Sequence, residues 1–280
     1  MYNKVNPMYD AYDILSTKDG YISEMSRRQQ GFLCGLIKKT KPNKILEIGV
    51  AEGGTTASVM KTLSLLGMKS EVFSVDLATK LYNNYNLDCG YLYKEWKEDI
   101  KGQSMHKFLL GKTVAAQMDN IGKDVDFCII DTVHFLPGEL LDFLAVYPYL
   151  KNGATVVLHD TNLDYLRAKN TNDTFNKSAY KATATKNLFS LITAEKYINM
   201  NSKMGVPNIA AFVVNEDTQK YIKDVFFALT LTWGYMPEEY LLAQYRECYA
   251  HNYDPDCLDV FDLAIAMNRV MVDNLPTHEW

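Results

Sequence analysis

The stretch ILEIGVAEGGTT, residues 45–56, decides how the rest of the chain is read. Ile45, Leu46 and Ile48 read as the end of a buried strand. Gly53 and Gly54 mark a tight turn, and from Thr55 the positions of Ala57, Val59, Met60 and Leu63 predict a helix. Strand, glycine turn and helix bring backbone amides up to a nucleotide-like ligand, because the first N–H groups of a helix lack partners within it. A dinucleotide fold wants G-x-G-x-x-G, whose second glycine lets the diphosphate approach the backbone. Here that spacing reads Gly49, Ala51, Gly54, which puts a methyl group where a diphosphate needs room. Glu47, two residues before Gly49, repels phosphate and suits a ligand that carries a cation.

Before this stretch, Ile22, Met25, Phe32, Leu33, Leu36 and Ile37 predict an amphipathic helix from about Tyr21 to Lys39, ended by Pro42. After it, the helix stops at Gly67 and a second strand, EVFSVD (71–76), follows. The tyrosine-rich stretch from Leu77 to Met105 gives no clean assignment. HKFLLGK (106–112) reads as a strand, TVAAQMDNIG (113–122) as a helix and VDFCIID (125–131) as a continuous apolar strand. LPGELLDFLAVYPYL (136–150) is a helix with Pro137 in its first turn, and NGATVVLHD (152–160) is a turn and a strand. A polar loop to about Lys186 leads into NLFSLI (187–192) and the strand NIAAFVV (208–214); the chain beyond Asn215 reads as helical. There Val260, Leu263, Met267 and Val270 are expected to form one apolar stripe, and the tail to pack on the main domain.

Strands without polar alternation, separated by helices, indicate a parallel sheet covered on both faces. The expected fold is α/β: a Rossmann-like, doubly wound, mostly parallel sheet with a helical C-terminal extension. Its divisions are an N-terminal helical segment (1–42), a ligand-binding domain (43–215) and the extension (216–280).

Composition narrows the function. A net charge of -5 argues against general nucleic-acid binding, which leaves a basic footprint. Five scattered cysteines, with no CxxC, make a disulfide framework or a zinc knot a poor expectation. No run approaches the ~20 apolar residues of a membrane span and the first ten residues hold no apolar stretch for a signal peptide, so a cytosolic protein is expected.

Glu47-x-Gly49, Gly53-Gly54 and Asp76 at the end of the second strand resemble the class I S-adenosylmethionine (SAM)-dependent methyltransferases, over roughly residues 20 to 215. The resemblance implies that Glu47, Gly49, Glu52, Gly53, Thr55, Asp76 and Asp131 line the cofactor, with Asp76 accepting hydrogen bonds from the ribose hydroxyls.

A second constellation sits on IIDTVHF and VVLHDT. The C-terminal ends of neighbouring parallel strands line one crevice, so Asp131, His134, His159 and Asp160 should gather on the same edge as Gly49 and Asp76. Asp131 and Asp160 together offer the carboxylate oxygens a hard divalent cation takes. The pattern resembles a methyltransferase subgroup acting on sugar hydroxyls and glycosylated natural products. That resemblance implies a metal on the matching aspartates and a histidine base, here His134. Catechol-type relatives place lysine where His134 stands and an asparagine ligand where Thr161 stands, which leaves the third ligand between His159, the Thr161 hydroxyl and water. The metal expected is magnesium or manganese; imidazole is a poor magnesium ligand, so a histidine in the set points to manganese or another transition ion instead. The candidate ligand set is Asp131, His159 and Asp160, and the candidate catalytic pair His134 and Asp131.

The acceptor is expected to be a small molecule or glycan. A basic excess in residues 162 to 186 (Arg167, Lys169, Lys177, Lys181, Lys186) suits an anionic acceptor such as a nucleotide-linked sugar, and Tyr82, Tyr85, Tyr91, Tyr93 and Trp96 are candidate stacking faces. A homo-oligomer through the C-terminal helices is the partner expectation. Two rival functions are a Rossmann-type NAD(P)-dependent oxidoreductase, disfavoured by Ala51 and Glu47, and a non-catalytic SAM-fold assembly protein.

Overall fold

The computed structural model describes residues 24–170, 183–199 and 206–272. Helix α1 (Arg27–Thr40) opens the described chain, and strand β1 (Lys44–Ile48) leads through the glycine turn to α2 (Gly54–Leu65). Strand β2 (Glu71–Asp76) is followed by a two-stranded hairpin, β3 (Lys80–Leu81) and β4 (Asn84–Asp88), by the short α3 (Tyr91–Trp96) and by β5 (Met105–Leu110). Next come α4 (Met118–Ile121), β6 (Val125–Ile130), α5 (Gly138–Val146), β7 (Leu150–His159) and α6 (Leu163–Asn170). After α7 (Ala184–Leu191), β8 (Lys196–Ile198) and β9 (Ile209–Val213), the chain ends in α8 (Ile222–Ala228), α9 (Glu239–Asn252) and α10 (Pro255–Val272).

Seven strands form one sheet in the order β5-β2-β1-β6-β7-β9-β8. The first five are parallel, and β9 runs antiparallel to both neighbours. This is the Rossmann-like, doubly wound, mostly parallel sheet expected. Its order reverses between β1 and β6, and such a switch point opens a crevice at the C-terminal strand ends. The pleat sends alternate residues to opposite faces. Phe127 and Ile129 join a core with α1 and α2, whereas Cys128 and Ile130 join a larger one with α5, α7 and the C-terminal helices. The extension therefore packs into the core of the sheet: Trp233, Tyr249 and Phe261 are all fully buried.

Local chemistry sets the element ends. α1 starts six residues later than its apolar spacing implies, because Ser26 and Gln29 form a capping box. The unassigned stretch after Leu77 holds the β3–β4 hairpin and α3. The loop expected from Asn162 to Lys186 carries α6 and the first turn of α7; residues 171–182, with Lys177 and Lys181, lie outside the described residues, as do the side chains of Arg167 and Lys169. Lys186 is paired with Asp164 at 2.7 Å.

Of the stripe expected on α10, Leu263, Met267 and Val270 face solvent, while Val260 is partly buried against the core. Leu263 is 51% exposed and Val270 79%, while Cys257, Phe261, Ala264 and Asn268 turn inward. Both sets recur at helical spacing, so periodicity alone could not choose between them, and the inward set is the one that meets α8 and the buried Trp233. All five cysteines are free and buried. No helix among the described residues is long and apolar enough to cross a membrane.

Candidate active site

Strands β2, β1, β6 and β7 are adjacent and parallel, so the segments leaving their C-terminal ends share one edge. Gly49 leaves β1 with φ +92°, and a Cβ there would lie 1.8 Å from the Asp131 carbonyl oxygen. Only glycine permits this backbone-to-backbone approach. Gly53 (φ +89°) meets the Cα of Gly90 the same way, at 2.8 Å from an added Cβ. Gly53 also gives α2 no side-chain cap.

Asp76 holds the turn itself. Its Oδ2 accepts the amides of Val50 (2.8 Å) and Ala51 (3.1 Å), and its Oδ1 accepts that of Ala78 (2.9 Å). Glu52 and Thr55 lie half-buried at the turn and the first turn of α2, and the Glu52 carbonyl accepts the amide of Leu92. Burial, with Glu24 adding to it, raises the Glu52 pKa.

Glu47 is enclosed at 1% exposure. Its Oε2 accepts the hydroxyls of Thr56 (2.6 Å) and Ser74 (2.5 Å), while Oε1 has no partner. Ser74 Oγ also lies 2.9 Å from Nε2 of His106, whose ring packs edge-on against Tyr93 and Phe108. The carboxylate thus ties α2 to β2 beneath the turn. Burial pushes the Glu47 pKa up to about 7, against the two hydroxyl hydrogen bonds.

The ends of β6 and β7 bring the second constellation together. His159 Nδ1 lies 3.0 Å from Asp131 Oδ1 and 3.6 Å from Asp160 Oδ2. His134 Nε2 lies 3.3 Å from Asp160 Oδ2, and its Nδ1 lies 3.5 Å from Glu139 Oε1 and 3.9 Å from Asp131 Oδ1. Ligand atoms of Asp131, His134 and Asp160 all fall within 4.8 Å of one another, a group that can hold a metal ion. This group has His134 where the sequence pointed to His159, whose second nitrogen, Nε2, is engaged by Gln29 at 2.9 Å. Thr161 is buried, and its hydroxyl faces the Pro207 carbonyl.

Burial lowers the His134 pKa, but the Glu139 hydrogen bond and the charges of Asp160 and Asp131 outweigh it and lift the value to about 9. That is well above the ordinary imidazole value. Asp131 moves the other way: despite burial, His159 and His134 hold its carboxyl below the usual carboxylate range.

Three supports escaped the sequence reading. The Asn208 amide donates to Asp160 Oδ1. Glu139, fully buried on α5, accepts the backbone amide of His134. Asp142, one turn further on, accepts the hydroxyls of Tyr245 (2.5 Å) from α9 and Thr132 (3.0 Å). Glu139 and Asp142 sit three residues apart among apolar positions, and an acidic residue on the buried face of a helix was the one available signal. Ala51, His134 and Asp160 are also three of the five non-glycine residues with positive φ among the described residues, and αL backbone at non-glycine positions concentrates at functional sites. Of the aromatic residues, Tyr93 is buried, whereas Tyr82 and Tyr85 are exposed on the hairpin and the Tyr82 hydroxyl bonds Glu24.

Residues 46–161 match a family model described as a methyltransferase domain. The match runs from β1 to the residue after Asp160 and so contains both halves of the site except Glu24, Gln29 and Asn208. No curated protein matches the chain. Among solved structures, the chain is similar to an O-methyltransferase from Bacillus cereus in complex with SAH (14% identity, TM-score 0.45, 76% of this chain and 92% of that one). It is also similar to the O-methyltransferase TomG from Streptomyces achromogenes, involved in tomaymycin synthesis and in complex with SAM (13%, 0.46, 76% and 92%). A SAH-bound methyltransferase from Podospora anserina aligns over 77% of this chain and 91% of its own, at 11% identity and a TM-score of 0.47.

Proposed function

We propose that this chain transfers a methyl group from SAM to a hydroxyl of a sugar or glycosylated small molecule, with a divalent cation assisting. The observation that carries this is the meeting of Asp131, His134 and Asp160 beside the glycine turn, inside the stretch that matches a methyltransferase domain. The turn fits the cofactor. Gly49 and Gly53 leave no side chain over the backbone, and the carboxylates of Glu52, Asp76 and Asp131 favour a sulfonium cation over a diphosphate. The same acidity counts against a dinucleotide. The donor set fits a metal too: two carboxylates and an imidazole suit manganese better than magnesium. Tyr82 and Tyr85 offer aromatic faces with polar tips for a sugar.

When bound, SAM supplies an activated methyl group, and a divalent cation supplies positive charge that acidifies a nearby hydroxyl. The chain's own work is alignment and proton removal. Asp131 and Asp160 hold and orient. His134 takes the hydroxyl proton at Nε2 while Nδ1 faces Glu139. With Asp131 and Asp160 engaged by a cation, His134 loses two of the charges that keep it protonated, which brings it into the range of a useful base.

A second arrangement is favoured by the short spacing of the three ligand groups: His134 as the third metal ligand, since one nitrogen cannot hold a cation and accept a proton together. His134→Ala separates them. As a base, its loss lowers kcat by about 10²–10⁴-fold with Mn²⁺ affinity unchanged. As a ligand, its loss weakens Mn²⁺ binding in calorimetric titration. Full methyl transfer to a glycan panel by the His134→Ala protein sinks the proposal, and full activity after verified EDTA stripping removes the metal from it.

A further inference from the structure

We infer that Gln29, on α1 and outside the strands that build the site, is a positioning residue that fixes the hydrogen-bond direction of His159 and, through it, aims the carboxylate of Asp131. The chain of bonds has only one polarity. The backbone N–H of Ser26 donates to Gln29 Oε1 at 2.7 Å, and a backbone N–H can only donate, which identifies that atom as the amide oxygen. The amide nitrogen therefore faces His159 Nε2, at 2.9 Å, with a hydrogen. His159 Nε2 must accept, its ring hydrogen lies on Nδ1, and Nδ1–H donates to Asp131 Oδ1 at 3.0 Å. A metal ligand or base held by a histidine whose tautomer is set from its far side is a recurring way to fix a carboxylate.

Gln29 cannot turn over without breaking the capping box, because its oxygen serves the Ser26 amide. The placement of α1 is also fixed by contacts that owe nothing to the site. Gln30 Nε2 donates to the Met25 carbonyl (2.8 Å), Ser58 Oγ donates to Gln30 Oε1 (3.3 Å), and Asn199 Nδ2 donates to the Arg28 carbonyl (3.0 Å). Phe32, Leu33, Leu36 and Ile37 are buried against the sheet. The helix is an anchored post, and His159 is oriented from it.

The test is nitrogen NMR on the full chain with ring-labelled histidine, the His159 signals identified by their loss in His159→Gln. The wild type should show hydrogen on Nδ1 and none on Nε2. Gln29→Glu keeps an acceptor for the Ser26 amide but loses the donor, so it should move hydrogen onto Nε2 and shift the Asp131 carboxyl carbon signal. Ser26→Ala removes the hydroxyl cap yet keeps the Ser26 N–H, and should leave the His159 tautomer as in the wild type. A wild-type ring with hydrogen on Nε2 overturns the inference, as does an unchanged tautomer in a Gln29→Glu protein whose circular dichroism shows it folded. An unmoved Asp131 signal overturns the link to that carboxylate. These signals are read without cofactor, metal or acceptor, so they stand or fall apart from methyl transfer. In protein titrated with Mn²⁺ alone, Gln29→Glu should weaken binding about 10–100-fold.

Discussion

Glu47 holds its carboxyl where water does not reach, and the consequence is a stability that depends on pH. Its folded pKa stands near 7 against 4.5 as a free group. The folded protein therefore binds a proton more tightly than the unfolded chain, and stability falls as pH rises from about 4.5 through 7. Glu47→Gln keeps an acceptor for Thr56 and Ser74 without the charge, and should flatten the Tm-versus-pH curve across that window; a slope equal to the wild type's assigns the effect elsewhere. His134 predicts a kinetic limb. With a pKa raised to about 9 and only the neutral ring able to accept a proton, methyl transfer without added metal should climb with pH up to about 9. Saturating Mn²⁺ should move that limb to lower pH, and a profile flat from pH 6 to 10 in both conditions would remove His134 as base. Asp131, His134 and Asp160 were legible in the sequence because a parallel sheet gathers its C-terminal strand ends by construction. Gln29 and Asn208 were not, since their partners lie 130 and 48 positions away and an amide carries no periodic signal.

Among the elements, the glycine turn makes the sharpest demand. Gly49→Ala would set a methyl 1.8 Å from the Asp131 carbonyl oxygen on a backbone that side chains rarely adopt, and should cost more than about 3 kcal/mol or abolish folding. Gly153 shares the left-handed φ (+87°) but has nothing within 4 Å of an added Cβ, so Gly153→Ala should cost only about 1–2 kcal/mol. Chemical denaturation of both variants reads the difference, and equal losses would contradict the backbone contact. The sheet strands were readable as apolar runs such as FCII (127–130), because both faces are covered. The hairpin at 80–88 was not, since every residue of β4 except Leu87 is exposed and no hydrophobic pattern marks it. The helix α6 was hidden in the same way, inside a stretch rich in Asn, Asp and Lys.

At the scale of the molecule, the C-terminal helices belong to the core that carries the site. Tyr245 reaches across from α9 to Asp142, which also receives Thr132 from the loop bearing His134. Tyr245→Phe leaves the buried Asp142 one donor short and should cost about 1–3 kcal/mol, with a fall in turnover despite its place outside the matched stretch. The outward side of α10 behaves oppositely: Val270→Ser should change stability by less than about 0.5 kcal/mol in the isolated chain. A large loss there would mean that the face is covered. The same body also holds its two half-sites in register. Where Gly49 meets Asp131, main chain abuts main chain, with no side chain between them to yield. The glycine turn and the loop that carries Asp131 and His134 are consequently locked together at this contact, so Gly49 cannot shift without pressing on the backbone of Asp131.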